Sequence, residues 1–277
     1  MGTATPTRGS DARFLLRVGI WVGVAVALLL VGRLWLRMVA RPSLGDDTWA
    51  RIGREGVLRV GMDASYPPFG LVDDAGHFSG FDVDLGIELA LRWGVTPQFT
   101  NLHFDALYDA LKTGKFDLII SALPHDRTMT RDVLYSQSYF DAGQVLLARR
   151  DNVHLQSFAD LAGGSVSVEL GSEAHQLVRQ LSRDRGLSVE VVAQRDWDAA
   201  AALLIDGKVD ALVCDMVTAR ALLKRGEELR LVGPTLTDEP YVIAARHDSP
   251  VLMAEVNAAL QEWRRNGLLE SLQRRWF

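Results

Sequence analysis

One cysteine, Cys214, stands among the 277 residues, so the chain alone cannot build a disulfide, a paired-thiol redox centre or a cysteine-rich zinc site. The six histidines (77, 103, 125, 154, 175, 247) include no pair four residues apart, and no metal is expected. Also missing are the glycine-rich phosphate loop with its Lys-Ser/Thr, and the GxGxxG, HExxH and GxSxG patterns. No cofactor is therefore expected and no catalytic residue is assigned. Acids are scarce only at the start. Residues 1–45 hold six Arg against the lone Asp11, a charge of +5, which leaves 24 basic and 34 acidic side chains, or -10, for the rest. A globular part that acidic repels phosphate backbones, and nucleic acid is excluded as a partner.

The arginine-rich start leads into Val18–Gly32 (VGIWVGVAVALLLVG), which carries no charge. A basic start followed by an apolar stretch is the layout of a signal or anchor. Fifteen helical residues reach about 22 Å, short of the roughly 30 Å hydrocarbon core. Extension to Ala40 suffices if Arg33 and Arg37 snorkel to the headgroups. No small-x-small cleavage site is evident, so the expectation for 1–45 is a cytoplasmic tail and an uncleaved membrane helix, with the acidic part exported.

Beyond a linker and a short helix, Val57–Met62 reads as a strand and Asp82–Trp93 as a buried helix started by an Asp cap and stopped at Gly94. The chain then repeats itself 93 residues on. Phe104-Asp105-Ala106 corresponds to Trp197-Asp198-Ala199, and Leu111-x-x-Gly114-Lys115-Phe116-Asp117 to Leu204-x-x-Gly207-Lys208-Val209-Asp210, each followed by an apolar strand. Asp117 and Asp210 are expected to serve structure at the strand entrances. Strands alternating with helices predict two similar α/β lobes with mostly parallel sheets.

Ligands of such sheets sit beyond the carboxyl ends of the strands. Asp63, Ala64, Ser65 and Tyr66 follow the first strand; Ser121, Ala122 and Leu123 follow FDLII; Leu170, Gly171, Ser172 and Glu173 follow SVSVE; Cys214 and Asp215 follow DALV. These segments predict a binding cleft between the lobes. Cys214, flanked by apolar residues, reads as a small buried hydrophobe rather than a nucleophile.

From about Leu58 to Phe277 the chain resembles the extracytoplasmic solute-binding proteins of polar amino acid ABC importers. The matching pieces are LRVGMDASYPPF (58–69), GFDVDL (80–85), FDALYDALKTGKFDLIISAL (104–123), YSQSYFDAGQVLL (135–147), LAGGSVSVELGS (161–172), GKVDALVCDMVTA (207–219), EPYVIAAR (239–246) and NGLLESLQRRWF (266–277). The resemblance implies a two-lobed periplasmic-binding-protein type II fold: lobe 1 from 50–143 plus 240–277, lobe 2 from 147–236, and two crossing strands near 143–149 and 239–246. It implies a small-molecule solute and an ABC permease as partners.

By the same resemblance Tyr66 stacks on the ligand and Phe104 closes the other face. Asp215 pairs with an ammonium, against the plainer reading of a turn cap. Ser121, with Ala122 and Leu123 beside it, offers hydrogen bonds. Asp63 meets a distal cation or braces its loop, and Ser172 and Glu173 sit at the mouth of lobe 2, where relatives usually carry Thr in place of Glu173. One departure stands out: the position of the relatives' carboxylate-gripping arginine is Met129 and a hydroxyl position is Pro124, leaving Arg127 or Arg131 two residues away. Three acids (Asp63, Glu173, Asp215) and two aromatics point to a cationic ligand: a basic amino acid, an amine or a polyamine. Two alternatives are a dehydratase acting on cyclohexadienyl acids, with Glu173 as its acid, and a sensory domain. No signalling module follows Phe277, which weighs against a one-chain receptor.

Overall fold

In the computed structural model, residues 47–226 and 228–277 are described. In chain order the first strands are β1 (Val57–Met62), β2 (Ser65–Tyr66), β3 (Gly70–Val72), β4 (Phe78–Ser79), β5 (Thr96–Asn101), β6 (Leu118–Ile119), β7 (Val133–Tyr135) and β8 (Phe140–Asp141). They continue with β9 (Gln144–Arg149), β10 (Ser165–Glu169), β11 (Glu190–Gln194), β12 (Ala211–Asp215), β13 (Leu229–Val232), β14 (Pro240–Tyr241) and β15 (Ala244–Arg246).

Two five-stranded sheets share one plan. The first runs β5-β1-β6-β15-β7 and the second β11-β10-β12-β9-β13. In each, a parallel trio (β5, β1, β6; β11, β10, β12) meets an antiparallel pair. Four of the five strands in each sheet run the same way, so the sheets are mostly parallel in direction, with β15 and β9 the one reversed strand of each. The reason lies in the chain path: β9 enters the second sheet from the first lobe and β15 returns to the first from the second. Each joins its sheet against the direction of the local trio.

The crossing itself is narrower than the sequence implies. β8 pairs with β14 through Pro240 opposite Asp141 and Tyr241 opposite Phe140, whereas β9 and β15 lie inside the two sheets. Phe140 and Tyr241 stack at 5.9 Å and both rings meet Phe69, which is buried with Phe81 and the terminal Phe277. Aromatic packing of this kind adds to area burial, and it fixes the crossing to the core of the first lobe. At Gly143 the two crossing segments approach so closely that a Cβ would strike the Thr237 carbonyl oxygen.

The repeat has a structural counterpart. Gly114 and Gly207 both take positive φ (75° and 69°) just past their helices, the left-handed stop that glycine adopts without strain. Asp117 Oδ2 accepts the Arg59 amide at 2.9 Å and Asp210 Oδ2 accepts the Ser165 amide at 2.8 Å. Each aspartate thus ties its own strand to the neighbouring one, Asp210 at the first residue of β10 and Asp117 at the third of β1. Side chains in the second sheet alternate faces as a strand dictates: Val166, Val168, Ala211 and Val213 enter one apolar cluster, while Leu212 and Cys214 enter another beneath the Trp197–Ile205 helix.

Asp82 departs from its expected role. The helix spans Phe81–Trp93 with Gly80 at its cap position, and the Asp82 carboxylate turns inward, fully buried. The apolar run 18–32 and its extension to Ala40 lie outside the described residues. Among the described residues no helix is long and apolar enough to cross a membrane.

Candidate functional site

A cavity of about 290 Å³ opens where the second sheet, the crossing and the β2 loop converge, close to the lower limit for small-molecule sites. Glu169 and Asp215 are the last residues of β10 and β12, Gln144 is the first of β9, and Ser172 and Glu173 begin the Glu173–Asp184 helix. Trp197 begins another helix, Glu239 and Tyr241 come from the crossing, and Tyr66 from β2. The polar groups thus gather at strand ends and helix starts, where a mixed sheet leaves its open edge toward a ligand.

Two of these groups also cap helices. Asp215 Oδ1 accepts the Thr218 amide at 2.8 Å and Oδ2 the Thr218 hydroxyl at 2.7 Å. Asp215 is thus the cap that its plainer reading predicts, and it also lines the cavity. Ser172 Oγ accepts the His175 amide at 3.2 Å and donates to the Glu169 carbonyl at 2.7 Å.

Tyr66 is 48% exposed and stacks on Phe69, ring centroids 5.5 Å apart and planes 8° from parallel. Tyr66 also lines the cavity. Burial pushes the Tyr66 hydroxyl above its usual range; contact with Tyr241 opposes this, and the charges of Asp215 and Glu239 add to it. Glu239 is also held above the ordinary carboxylate range, first by burial and then by the charges of Glu173, Asp215 and Asp141. The cavity lining is rich in carboxylates and holds no basic side chain.

Of the ten sequence candidates the cavity collects four: Tyr66, Ser172, Glu173 and Asp215. Asp63 is committed to its own loop. Its Oδ1 accepts the Ser65 amide and hydroxyl at 3.2 and 2.6 Å, and its Oδ2 accepts the Phe104 amide at 2.9 Å. Ser121 Oγ accepts the Asp63 amide at 2.9 Å. Leu123 is buried in an apolar cluster that Phe104 flanks, the Ala122 amide is bonded to Asp82, and Arg131 is exposed. None of these six lines the cavity.

Cys214, placed by its strand end beside the predicted cleft, does line it, and the lining residues that sequence reasoning passed over are Gln144, Glu169, Trp197, Thr218, Glu239 and Tyr241, with apolar neighbours. Trp197 carried a signal, because the repeat pairs it with Phe104. Glu169 did too, as the carboxyl end of a strand. Gln144 and Glu239 become visible only once the crossing is placed.

An L-arginine-binding protein of Pseudomonas aeruginosa is 31% identical over 258 residues, 90% of this chain and 96% of its own length. A solved structure of an ancestral cationic amino acid solute-binding protein is 32% identical with a TM-score of 0.61, covering 83% of this chain and 99% of that one. An ancestral cyclohexadienyl dehydratase, 22% identical with a TM-score of 0.71 over 82% of this chain and 94% of its own, shares the fold. The model of bacterial extracellular solute-binding proteins, family 3, matches residues 58–277, and the chain belongs to that family.

Proposed function

We propose that the protein captures a small cationic solute, an amino acid or a related amine, in this cavity and delivers it to an ABC import permease. The observation that carries the reading is the lining: four carboxylates (Glu169, Glu173, Asp215, Glu239) and the aromatic rings of Tyr66, Trp197 and Tyr241, with no Lys, Arg or His among them. Ion pairing in a site shielded from water is strong, and a cation over an aromatic face adds to it. The arginine-binding relative and the ancestral cationic amino acid binder support the same charge preference. In this reading residues 50–143 with 240–277 form one lobe and 147–236 the other, and the lobes close about the β8–β14 crossing. The binding part works outside the cytoplasm, held to the membrane by the apolar run of 1–45.

The carboxylates act here as counter-charges, and the ligand leaves unchanged. A thermal-shift panel of amino acids and amines tests the binding. A ligand at one hundred times its dissociation constant stabilises by about 2.7 kcal/mol; response to acidic or neutral amino acids alone would overturn the charge assignment. Conversion of a cyclohexadienyl acid to an aromatic product would overturn the non-catalytic one.

A further inference from the structure

We infer that the ligand of this cavity is an organic cation without a carboxylate, a diamine or guanidino-alkylamine rather than the corresponding α-amino acid. The inference rests on the cationic reading above and narrows it. An α-amino acid brings a carboxylate with its ammonium group, and that carboxylate needs a positive or hydrogen-donating partner. The lining offers no basic side chain. Arg127 and Arg131 are exposed and outside the lining, and Met129 between them packs beside the apolar cluster of Phe116 and Leu123.

A helix N-terminus is the other common seat for a ligand carboxylate, and three helices start at the cavity. Each is already answered by the protein's own acids. The Trp197–Ile205 helix is capped by Asp196, whose Oδ1 accepts the Ala199 amide at 2.8 Å. The Met216–Lys224 helix is capped by both oxygens of Asp215. The Glu173–Asp184 helix is capped by Ser172 and carries the Glu173 carboxylate in its first turn. These acids balance the positive ends of the helix dipoles and would repel an incoming carboxylate.

A separate observation points to a donor-rich guest. Gln144 lines the cavity, is only 5% exposed, and its Oε1 has no hydrogen-bond partner. A buried acceptor left unpaired is costly, and an ammonium or guanidinium N–H would satisfy it. A metal ion fits less well: among the described residues no three His, Cys, Asp or Glu side chains converge as a metal site. Separated negative groups suit an extended cation with charge at more than one point.

The test compares matched pairs that differ only by the carboxylate: agmatine with arginine, cadaverine with lysine, putrescine with ornithine. Binding is measured by calorimetry on the full-length chain in mild detergent. The expected result is that in at least one pair the decarboxylated member binds tenfold or more tightly than its amino acid. Amino acids binding as tightly or more tightly in every pair would overturn the inference and leave the cationic reading standing. Binding of uncharged or acidic amino acids alone would overturn both, and no binding by any of the six compounds would overturn the inference. In Glu173→Gln the preference for the decarboxylated member should fall severalfold; an unchanged or larger preference would overturn its electrostatic basis.

Discussion

Asp82 and Ala122 are joined by one short hydrogen bond: the Ala122 amide donates to Asp82 Oδ2 at 2.5 Å. The bond ties the first turn of the Phe81–Trp93 helix to the turn that leaves β6. Ala122 holds a positive φ of 43° there without being glycine, a conformation that costs roughly 1–2 kcal/mol in an L-residue.

The same carboxyl sets a pH dependence. Burial, partly opposed by the nearby Tyr139 hydroxyl and the hydrogen bond from the Ala122 amide, pushes Asp82 up to about 7. Between roughly pH 4, the ordinary carboxylate value, and pH 7 the folded chain holds a proton that the unfolded chain releases. Stability from this group is therefore greatest at the acid end of the window, falls as pH rises through it, and levels off above. Asp82→Asn keeps an acceptor for Ala122 but has nothing to ionise. The wild type should lose more thermal stability than Asp82→Asn between pH 5 and 7, read as the difference in Tm; equal losses would acquit Asp82.

Asp215 serves two masters, and two substitutions separate them. Asparagine can still cap a helix, so Asp215→Asn should change the stability of the ligand-free protein little while weakening binding of agmatine or arginine at least tenfold. Asp215→Ala removes the cap as well and should cost a further ~1 kcal/mol of folding stability. Denaturant melts alongside calorimetry check both. Full affinity in Asp215→Asn would leave the residue as a cap alone.

Much of this architecture was legible as pattern, and the reason is local chemistry. Gly114 and Gly207 announce helix ends because the turn demands positive φ, and Asp117 and Asp210 repeat because each secures an amide of a neighbouring strand. The burial of β12 on both faces is written in its apolar run 211–214. What sequence did not disclose depends on contacts far apart along the chain. Asp82 looks like a helix cap until Ala122, forty residues away, claims its carboxylate. Asp63 reads from sequence as either a ligand group or a loop brace, and its bonds to Ser65 and Phe104, the latter forty-one residues away, are those of a brace. Gln144 and Glu239 reach one cavity only because they flank the paired β8 and β14 of the crossing.

That crossing can be tested at Gly143. The alanine methyl would collide with backbone, the Thr237 carbonyl oxygen, rather than with a side chain that could swing aside. The Gln144 amide donates to Thr237 Oγ1 at 2.8 Å and the Leu236 amide to the Gln144 carbonyl at 2.7 Å, so displacing Thr237 disturbs that register. Gly143→Ala should destabilise by about 1–3 kcal/mol, in the range for forced overpacking, and weaken ligand binding together with it. A variant as stable as the parent in urea melts would show that the two segments slide apart freely.

Cys214 offers a chemical reporter of the same cavity. It follows Val213 in β12, lies buried beside the cavity, and precedes Asp215. Burial pushes the thiol well up, and the adjacent Asp215 charge pushes the same way. The thiolate is the reactive form, so at pH 8 labelling by an aromatic disulfide reagent should be at least tenfold slower in the native protein than in urea. Asp215→Asn removes the neighbouring charge and should speed native labelling, while a ligand seated against Asp215 blocks approach and should slow it in the wild type. Slowing by agmatine in the wild type that disappears in Asp215→Asn would place the bound cation beside β12. Labelling as fast in the native chain as in urea would mean that the thiol stands open to solvent and that the cavity wall is not closed there.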